Sequence, residues 1–336
     1  MVLLPLLAGA SFGQPTTGQS QAAPAPNAIL FVGNSFFHGK YPPVLNYNAA
    51  NVTDENFGQP REGPRFEHHP DEPGPWGGIP GIFKQLTDEA GLNYEVHIEA
   101  ISAKSLKFHY DNMLAVIQQP RWRTVVLQEH STRALPVRRN GKPDLFREYA
   151  TRIEQAVHAA NPAARLYLYQ TWARADFHYR PDQAYAGLPV DSMTQDLHAA
   201  YYGVLAQNPS FTGVAPAGDA WLRAIAAGVA TRNPYAPDPG KVNLWGPDHY
   251  HPSKWGCYLS ACVLFGEITG TDPRTLGSTE QAALALGIAP ADAVSLQRVA
   301  YEQVLAARPP AFVGPKPGSK PAPCQPRGKP KPRKGK

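Results

Sequence analysis

The stretch Ala28-Ile-Leu-Phe-Val-Gly-Asn-Ser-Phe-Phe-His-Gly39 decides how this 336-residue chain is read. It opens as an unbroken apolar run of strand length and stops at Gly33-Asn34-Ser35. A strand apolar on both faces belongs in a parallel sheet covered by helices, because neither of its faces meets water. Ligands of such sheets bind beyond the carboxyl ends of the strands, and Ser35 stands there. Two readings of Ser35 follow: a nucleophile, or a serine that caps the next helix after a glycine turn.

The second informative stretch is Gly246-Pro-Asp-His-Tyr-His-Pro-Ser253. Asp248 and His251 can lie side by side in one loop, the carboxylate fixing the imidazole tautomer and stabilising its protonated form. Such an imidazole can take the proton of a serine hydroxyl, which is too weakly acidic to attack a carbonyl unaided. His249, between them, is expected to point elsewhere.

The pair of motifs resembles the SGNH, or GDSL-like, hydrolase family. In that family a serine follows the first strand in a Gly-Asp-Ser motif, and an Asp-x-x-His pair lies near the C-terminus. Here the first motif reads Gly33-Asn34-Ser35, and His251-Pro-Ser-Lys-Trp-Gly-Cys-Tyr-Leu-Ser-Ala261 is similar to the family's closing loop and last core helix. The resemblance spans residues 27–308. It implies a flavodoxin-like α/β/α sandwich and a serine esterase working through an acyl-enzyme, with O-acetyl groups on carbohydrate as one substrate class and no metal or organic cofactor. Ser35, Asp248 and His251 are its catalytic candidates.

Hydrophobic periodicity supports the fold independently. Short apolar strands at 28–32, 94–101, 124–127, 165–170 and 212–216 alternate with helical patterns at 79–90, 105–117, 143–160, 191–205, 218–227, 253–270, 279–286 and 290–307. Alternation of this kind predicts a mostly parallel sheet of about five strands between helical layers. Asp144 is the expected N-cap of the 143–160 helix.

Each strand end delivers residues to the rim beside Ser35. After the second strand comes Ser102-Ala103, where the resemblance places a glycine whose N–H holds the oxyanion; Ala103 is the matching position, and an ordinary helix cap by Ser102 or Ser105 is the other reading. The family's third block offers an Asn amide, and Gln128 in Gln128-Glu-His-Ser131 is the candidate equivalent. The oxyanion set is then the Ser35 and Ala103 N–H groups with Gln128. Asn34, His130, Trp172, Arg174 and Trp245 are candidate substrate contacts, an indole offering a stacking platform and a guanidinium a carboxylate site. A packed Trp172 beside a surface Arg174 is the plainer alternative, and His130 is also a rival general base.

Residues 41–78, rich in Pro, Gly and acidic residues, interrupt the pattern and read as a lid or rim insertion. His68, His69 and Asp71 within it match no metal-ligand spacing, and no metal is expected. Residues 1–26 read as a leader and linker: an apolar run closing in Ala8-Gly9-Ala10 suggests an exported protein and is too short to span a bilayer. Residues 309–336 carry six Lys and two Arg and no acid, a charge of +8 that leaves −3 for the rest of a chain whose total is +5. Such a Pro-rich basic tail is expected to stay solvated, with contact to an anionic surface as its functional reading. No stacking residue lies in it beyond Phe312, which speaks against nucleic acid as a partner. Cys257 and Cys262, five apart on a helix, face different ways and are not expected to pair. Beside the esterase stand an acyltransferase on the same scaffold, a carbohydrate-binding protein without turnover, and a metal hydrolase built on His68, His69 and Asp71.

Overall fold

The computed structural model describes residues 25–308. The expectations for the leader before residue 25 and for the basic tail from 309 lie outside the described residues.

Six parallel strands form one sheet: β1 (Asn27–Gly33), β2 (Val52–Asp54), β3 (Tyr94–Ala100), β4 (Thr124–Leu127), β5 (Arg165–Tyr169) and β6 (Gly213–Ala215), in the order β2-β3-β1-β4-β5-β6. The helices are α1 (Ser35–His38), α2 (Gly78–Glu89), α3 (Leu106–Ile117), α4 (Pro143–Ala160), α5 (Asp176–Tyr179), α6 (Val190–Gln207), α7 (Ala217–Ala226), α8 (Lys254–Thr269), α9 (Gln281–Ala285) and α10 (Pro290–Ala307). In one group α2 packs on α8 and α8 on α10; in the other α3 packs on α4 and α4 on α6. Ile29, Leu30, Phe31 and Val32 of β1 are all fully buried, so both sheet faces are covered, as the unbroken apolar run requires. Burying each of these side chains contributes about 1.5–3 kcal/mol.

The sheet has one strand more than the sequence suggested. β2 lies inside the 41–78 segment and pairs parallel with β3 as the edge strand. Without it the order is that of the flavodoxin-like fold, with β1 central. Chain order runs outward from β1 to β3 on one side and through β4, β5 and β6 on the other. The carboxyl end of β1 is therefore the switch point, the crevice where open α/β sheets bind ligands.

Helix boundaries match the hydrophobic periodicity within a few residues, but one cap differs. The N-cap of α4 is Lys142, with Pro143 in the first turn; Asp144 is one residue inside, where it pairs with Arg147 at 2.7 Å. Cys257 and Cys262 are buried and unpaired in α8. No helix among the described residues is long and apolar enough to cross a membrane.

Candidate active site

β1 ends in Gly33 because a neighbouring side chain needs the space. A Cβ there would stand 2.4 Å from Gln128 Oε1, and that oxygen accepts the Asn34 N–H at 2.9 Å. Asn34 then caps α1, its Oδ1 accepting from Phe36 N at 3.1 Å and its Nδ2 donating to Lys104 O at 2.9 Å. The cap is thus Asn34 and not Ser35, which leaves the serine hydroxyl free for another partner.

That partner is His251. Its Nε2 lies 2.7 Å from Ser35 Oγ and its Nδ1 lies 2.6 Å from Asp248 Oδ2. Asp248 Oδ1 accepts the backbone N–H groups of Tyr250 and His251, at 3.2 and 2.9 Å. The loop bearing the pair is closed by the bridge of Trp245 to Pro252 and by Gly246 N donating to His251 O at 2.7 Å. Ser253 caps α8 directly after it, and Gly256 is required there because a Cβ would stand 2.3 Å from Leu244 O.

Electrostatics set the protonation states for proton transfer. Burial, helped by the nearby Lys40 charge, lowers His251 by more than the hydrogen bond and charge of Asp248 raise it, so the imidazole is neutral at neutral pH. Burial works against the Asp248 carboxylate, but the His251 hydrogen bond and charge and the two backbone N–H groups outweigh it and hold the group at about 2. A neutral base thus faces the serine, with an ionised carboxylate behind it. This is the charge arrangement that proton abstraction from a hydroxyl requires.

Ser35 and His251 open on a cavity of about 130 Å³ that Asn34, Ser102, Ala103, His130, Ser131 and Arg174 also line, together with Lys40, Glu72, His69 and Tyr250. The Ser35 and Ala103 N–H groups make no hydrogen bond among the described residues, so both are available as donors. Ala103 has φ +60°, a left-handed conformation in which glycine is the relaxed residue.

Several side chains sit elsewhere than the sequence suggested. Gln128 is fully buried; its Oε1 holds Asn34 N and its Nε2 donates to Glu129 O, so the amide is occupied and does not line the cavity. Trp172 and Trp245 are core residues. Phe36, next to Ser35, stacks on Trp172 with centroids 4.6 Å apart, and Trp172 stacks on Trp221 at 4.3 Å. Trp172 Nε1 donates to Tyr250 O at 3.0 Å and Trp245 Nε1 to Ala173 O at 2.9 Å. These rings tie the serine turn to the His251 loop instead of facing a ligand. Trp76 is likewise buried, against His38 with centroids 4.3 Å apart. Arg174 does reach the cavity, clamped on Asp176 at 3.1 and 2.7 Å.

His130 reaches the cavity too, and burial with nearby Arg174 and Arg133 lowers it to about 4. Its Nδ1 faces the Thr132 N–H at 3.4 Å, which places the proton of the neutral ring on Nε2. Beneath it, burial pushes the Glu129 carboxyl up to about 7 although it accepts the His130 N–H at 2.6 Å. His249 packs instead against Tyr235, the two rings tilted by 42° with centroids 3.9 Å apart.

No motif in the sequence pointed to Glu72, His38 and Ser102 acting together. Lys40 N donates to His38 Nδ1 at 3.2 Å, so His38 carries its proton on Nε2 and donates to Ser102 Oγ at 2.9 Å. Ser102 in turn donates to Glu72 Oε2, and the Lys40 ammonium binds Glu72 Oε1. Burial opposes ionisation of Glu72, yet the hydrogen bonds from His38, Lys40 and Ser102 hold its pKa well below the usual carboxylate range. Glu67 adds a bond from Ser102 N at 2.8 Å. Residues of the 41–78 segment therefore fasten the Ser102–Ala103 turn from outside the sheet. The proton order also separates Ser102 from Ser35: its hydroxyl is committed to a carboxylate, and no neutral base waits to accept it.

Two sets of ligand-type atoms come within 4.8 Å of one another, His38 with Glu67 and Glu72, and His69 with Asp71 and Glu72. His69 and Asp71 thus converge as the metal alternative required, but His68 does not join them. A cation there would have to displace the Lys40 ammonium, which already binds Glu72 and lies 3.4 Å from Asp71.

No family model matches the sequence, and no curated protein matches it. In shape the chain is similar to a DUF4886 family protein from Bacteroides uniformis, with a TM-score of 0.50 at 15% identity over 83% of this chain and 94% of that one. Weaker likenesses include a lipase/acylhydrolase from Enterococcus faecalis, with a TM-score of 0.44 at 15% identity over 73% of this chain and 96% of that one. An acetyl xylan esterase matches with a TM-score of 0.44 at 13% identity over 71% and 98%. At these identities a likeness speaks for the α/β fold alone.

Proposed function

We propose that this chain is a serine esterase of the SGNH type. The observation that carries the reading is the continuous hydrogen-bonded line from Ser35 Oγ to His251 Nε2 and from His251 Nδ1 to Asp248, at 2.7 and 2.6 Å, on a cavity at the sheet's switch point. In this mechanism Ser35 attacks the ester carbonyl while its proton passes to His251. The imidazolium, stabilised by Asp248, then gives the proton to the departing alkoxide. Water hydrolyses the acyl-Ser35 ester by the same steps in reverse roles, returning the proton to Ser35. The Ser35 and Ala103 N–H groups supply the oxyanion donors, and His130 Nε2 is the side-chain donor in place of Gln128. A cavity of about 130 Å³ suits a short acyl chain.

The test is turnover of p-nitrophenyl acetate and butyrate by the parent protein and by Ser35→Ala and His251→Ala. Both variants are expected to lose at least about 10³-fold in kcat with unchanged thermal unfolding. Unchanged activity in Ser35→Ala would sink the mechanism. A parent that binds ester without turning it over, or that transfers acyl groups faster than it hydrolyses them, would favour the binding or acyltransferase readings.

A further inference from the structure

A second cavity, about 390 Å³, adjoins the Ser35 cavity, and His69 and Glu72 line both. Ligand sites are usually about 300–1,000 Å³. The Ser35 cavity, at about 130 Å³, holds an acyl group but not the rest of an ester, whereas the second is large enough for a sugar-sized alcohol. All of its lining comes from residues 54–76, within the segment that interrupts the sheet pattern.

We propose that this second cavity is the alcohol-side subsite of the esterase, shaped for a neutral pyranose ring, with Phe57 as its platform and His69 as the hydrogen-bonding residue between the two cavities. The inference rests on the esterase reading of Ser35. Phe57 is 58% exposed, and its ring lies over Gly74, where an added Cβ would meet it at 3.1 Å. Together with Phe66 and the buried Trp76 it gives the cavity an apolar wall of the kind that takes the C–H face of a sugar. The polar lining is rich in acceptors. Asp54 and Glu67 each accept two backbone N–H groups and, as carboxylates, keep lone pairs for hydroxyl donors. The His69 imidazole has no hydrogen-bond partner among the described residues. No Lys or Arg lines the cavity, and the nearby Lys40 ammonium is already bound to Glu72, so nothing in the lining would pair with a uronic acid.

The test compares acetate esters that differ only in the alcohol: acetylated methyl xyloside, acetylated methyl galacturonide and acetylcholine. The parent protein is expected to show its highest kcat/KM on the xyloside. Phe57→Ala and His69→Ala are expected to raise KM for the xyloside about tenfold with kcat changed by less than about twofold, the size of effect a lost stacking or hydrogen-bonding contact gives. In parallel, deacetylated methyl xyloside is titrated into Ser35→Ala protein with and without Phe57→Ala and observed by NMR. Weaker binding with Phe57→Ala supports the subsite whatever Ser35 does, so failure of the esterase reading is seen separately in the turnover of Ser35→Ala. A xyloside KM within twofold of the parent in both variants would overturn the subsite while leaving the triad standing. Faster turnover of acetylcholine or of the galacturonide would overturn the neutral-sugar assignment.

Discussion

The two sides of the cleft are built by opposite means. On one side Ser35, Ala103, His130 and Arg174 are delivered by strand ends of a sheet whose central strand is fully buried, so the backbone is fixed before any polar contact forms. On the other side the segment carrying Glu67, Glu72 and Trp76 contributes one three-residue strand, and it is held to the rest through Ser102, His38 and Lys40. The first side gets its precision from packing, the second from a charged network that converges on Glu72 and Glu67. A packed scaffold tolerates the loss of a polar contact far better than such a network does, because a buried partner left unpaired costs about 1–3 kcal/mol, and more when it is charged.

That difference predicts where substitutions act. The largest effect is expected from Asp248→Asn on the packed side: kcat falls about 10³–10⁴-fold while thermal stability changes little, since the loop stays pinned by Trp245, Gly246 and Ser253. Stopped-flow measurement of the first turnover against pH checks it. In the parent, activity should rise as pH passes up through a His251 pKa that lies below the ordinary value near 6.5, because only the neutral imidazole accepts the serine proton. A parent profile rising instead through pH values above about 7 would break the electrostatic account.

Next comes Glu72→Gln, expected to cost roughly 1–3 kcal/mol of stability at neutral pH by leaving the Lys40 ammonium without its buried carboxylate. The sign with pH is definite. Glu72 has a folded-state pKa below its unfolded value, so its contribution is present above the unfolded range near 4.3 and is lost as pH falls below it. Thermal melts should therefore separate parent and variant at pH 7 and bring them closer as pH drops below about 4. A gap that stays constant across that range would mean that the carboxylate's charge is not what fastens the segment.

The smallest effect concerns Ala103. Glycine usually costs about 0.5–1 kcal/mol through the unfolded chain, but at φ +60° it also relieves the backbone, so Ala103→Gly is expected to leave the melting temperature nearly unchanged. Ala103→Val should lose about 1–2 kcal/mol at the same position. Equal melting temperatures for the two variants would show that the turn relaxes away from this conformation.

What could be read from the sequence follows the same division. β1 was legible because burial on both faces makes it an unbroken apolar run, the long helices α4 and α10 because burial of one face spaces their apolar residues, and the Asp248/His251 pair because its partners share one loop. β2 was not, since three residues with only Val52 buried show no alternation. Glu72 was hidden in a proline-rich run, and its partners His38, Lys40 and Ser102 lie some thirty positions away in either direction. Gln128 was misread because its amide turns back to Asn34, and only the missing Cβ at Gly33 hints at that. Trp172 and Trp245 looked like platforms because a tryptophan near a strand end reads the same whether it faces a ligand or a neighbouring ring; the stack through Phe36 and Trp221 decides it.

The central claim is that one serine, Ser35, is activated by His251. The most direct measurement is labelling of the intact protein with a fluorophosphonate, followed by mass spectrometry of the digested peptides, in the parent and in His251→Ala. The account predicts one adduct in the parent, on the peptide carrying Ser35, and its loss in the variant. An adduct on Ser102, or labelling of Ser35 at the same rate without His251, would contradict it.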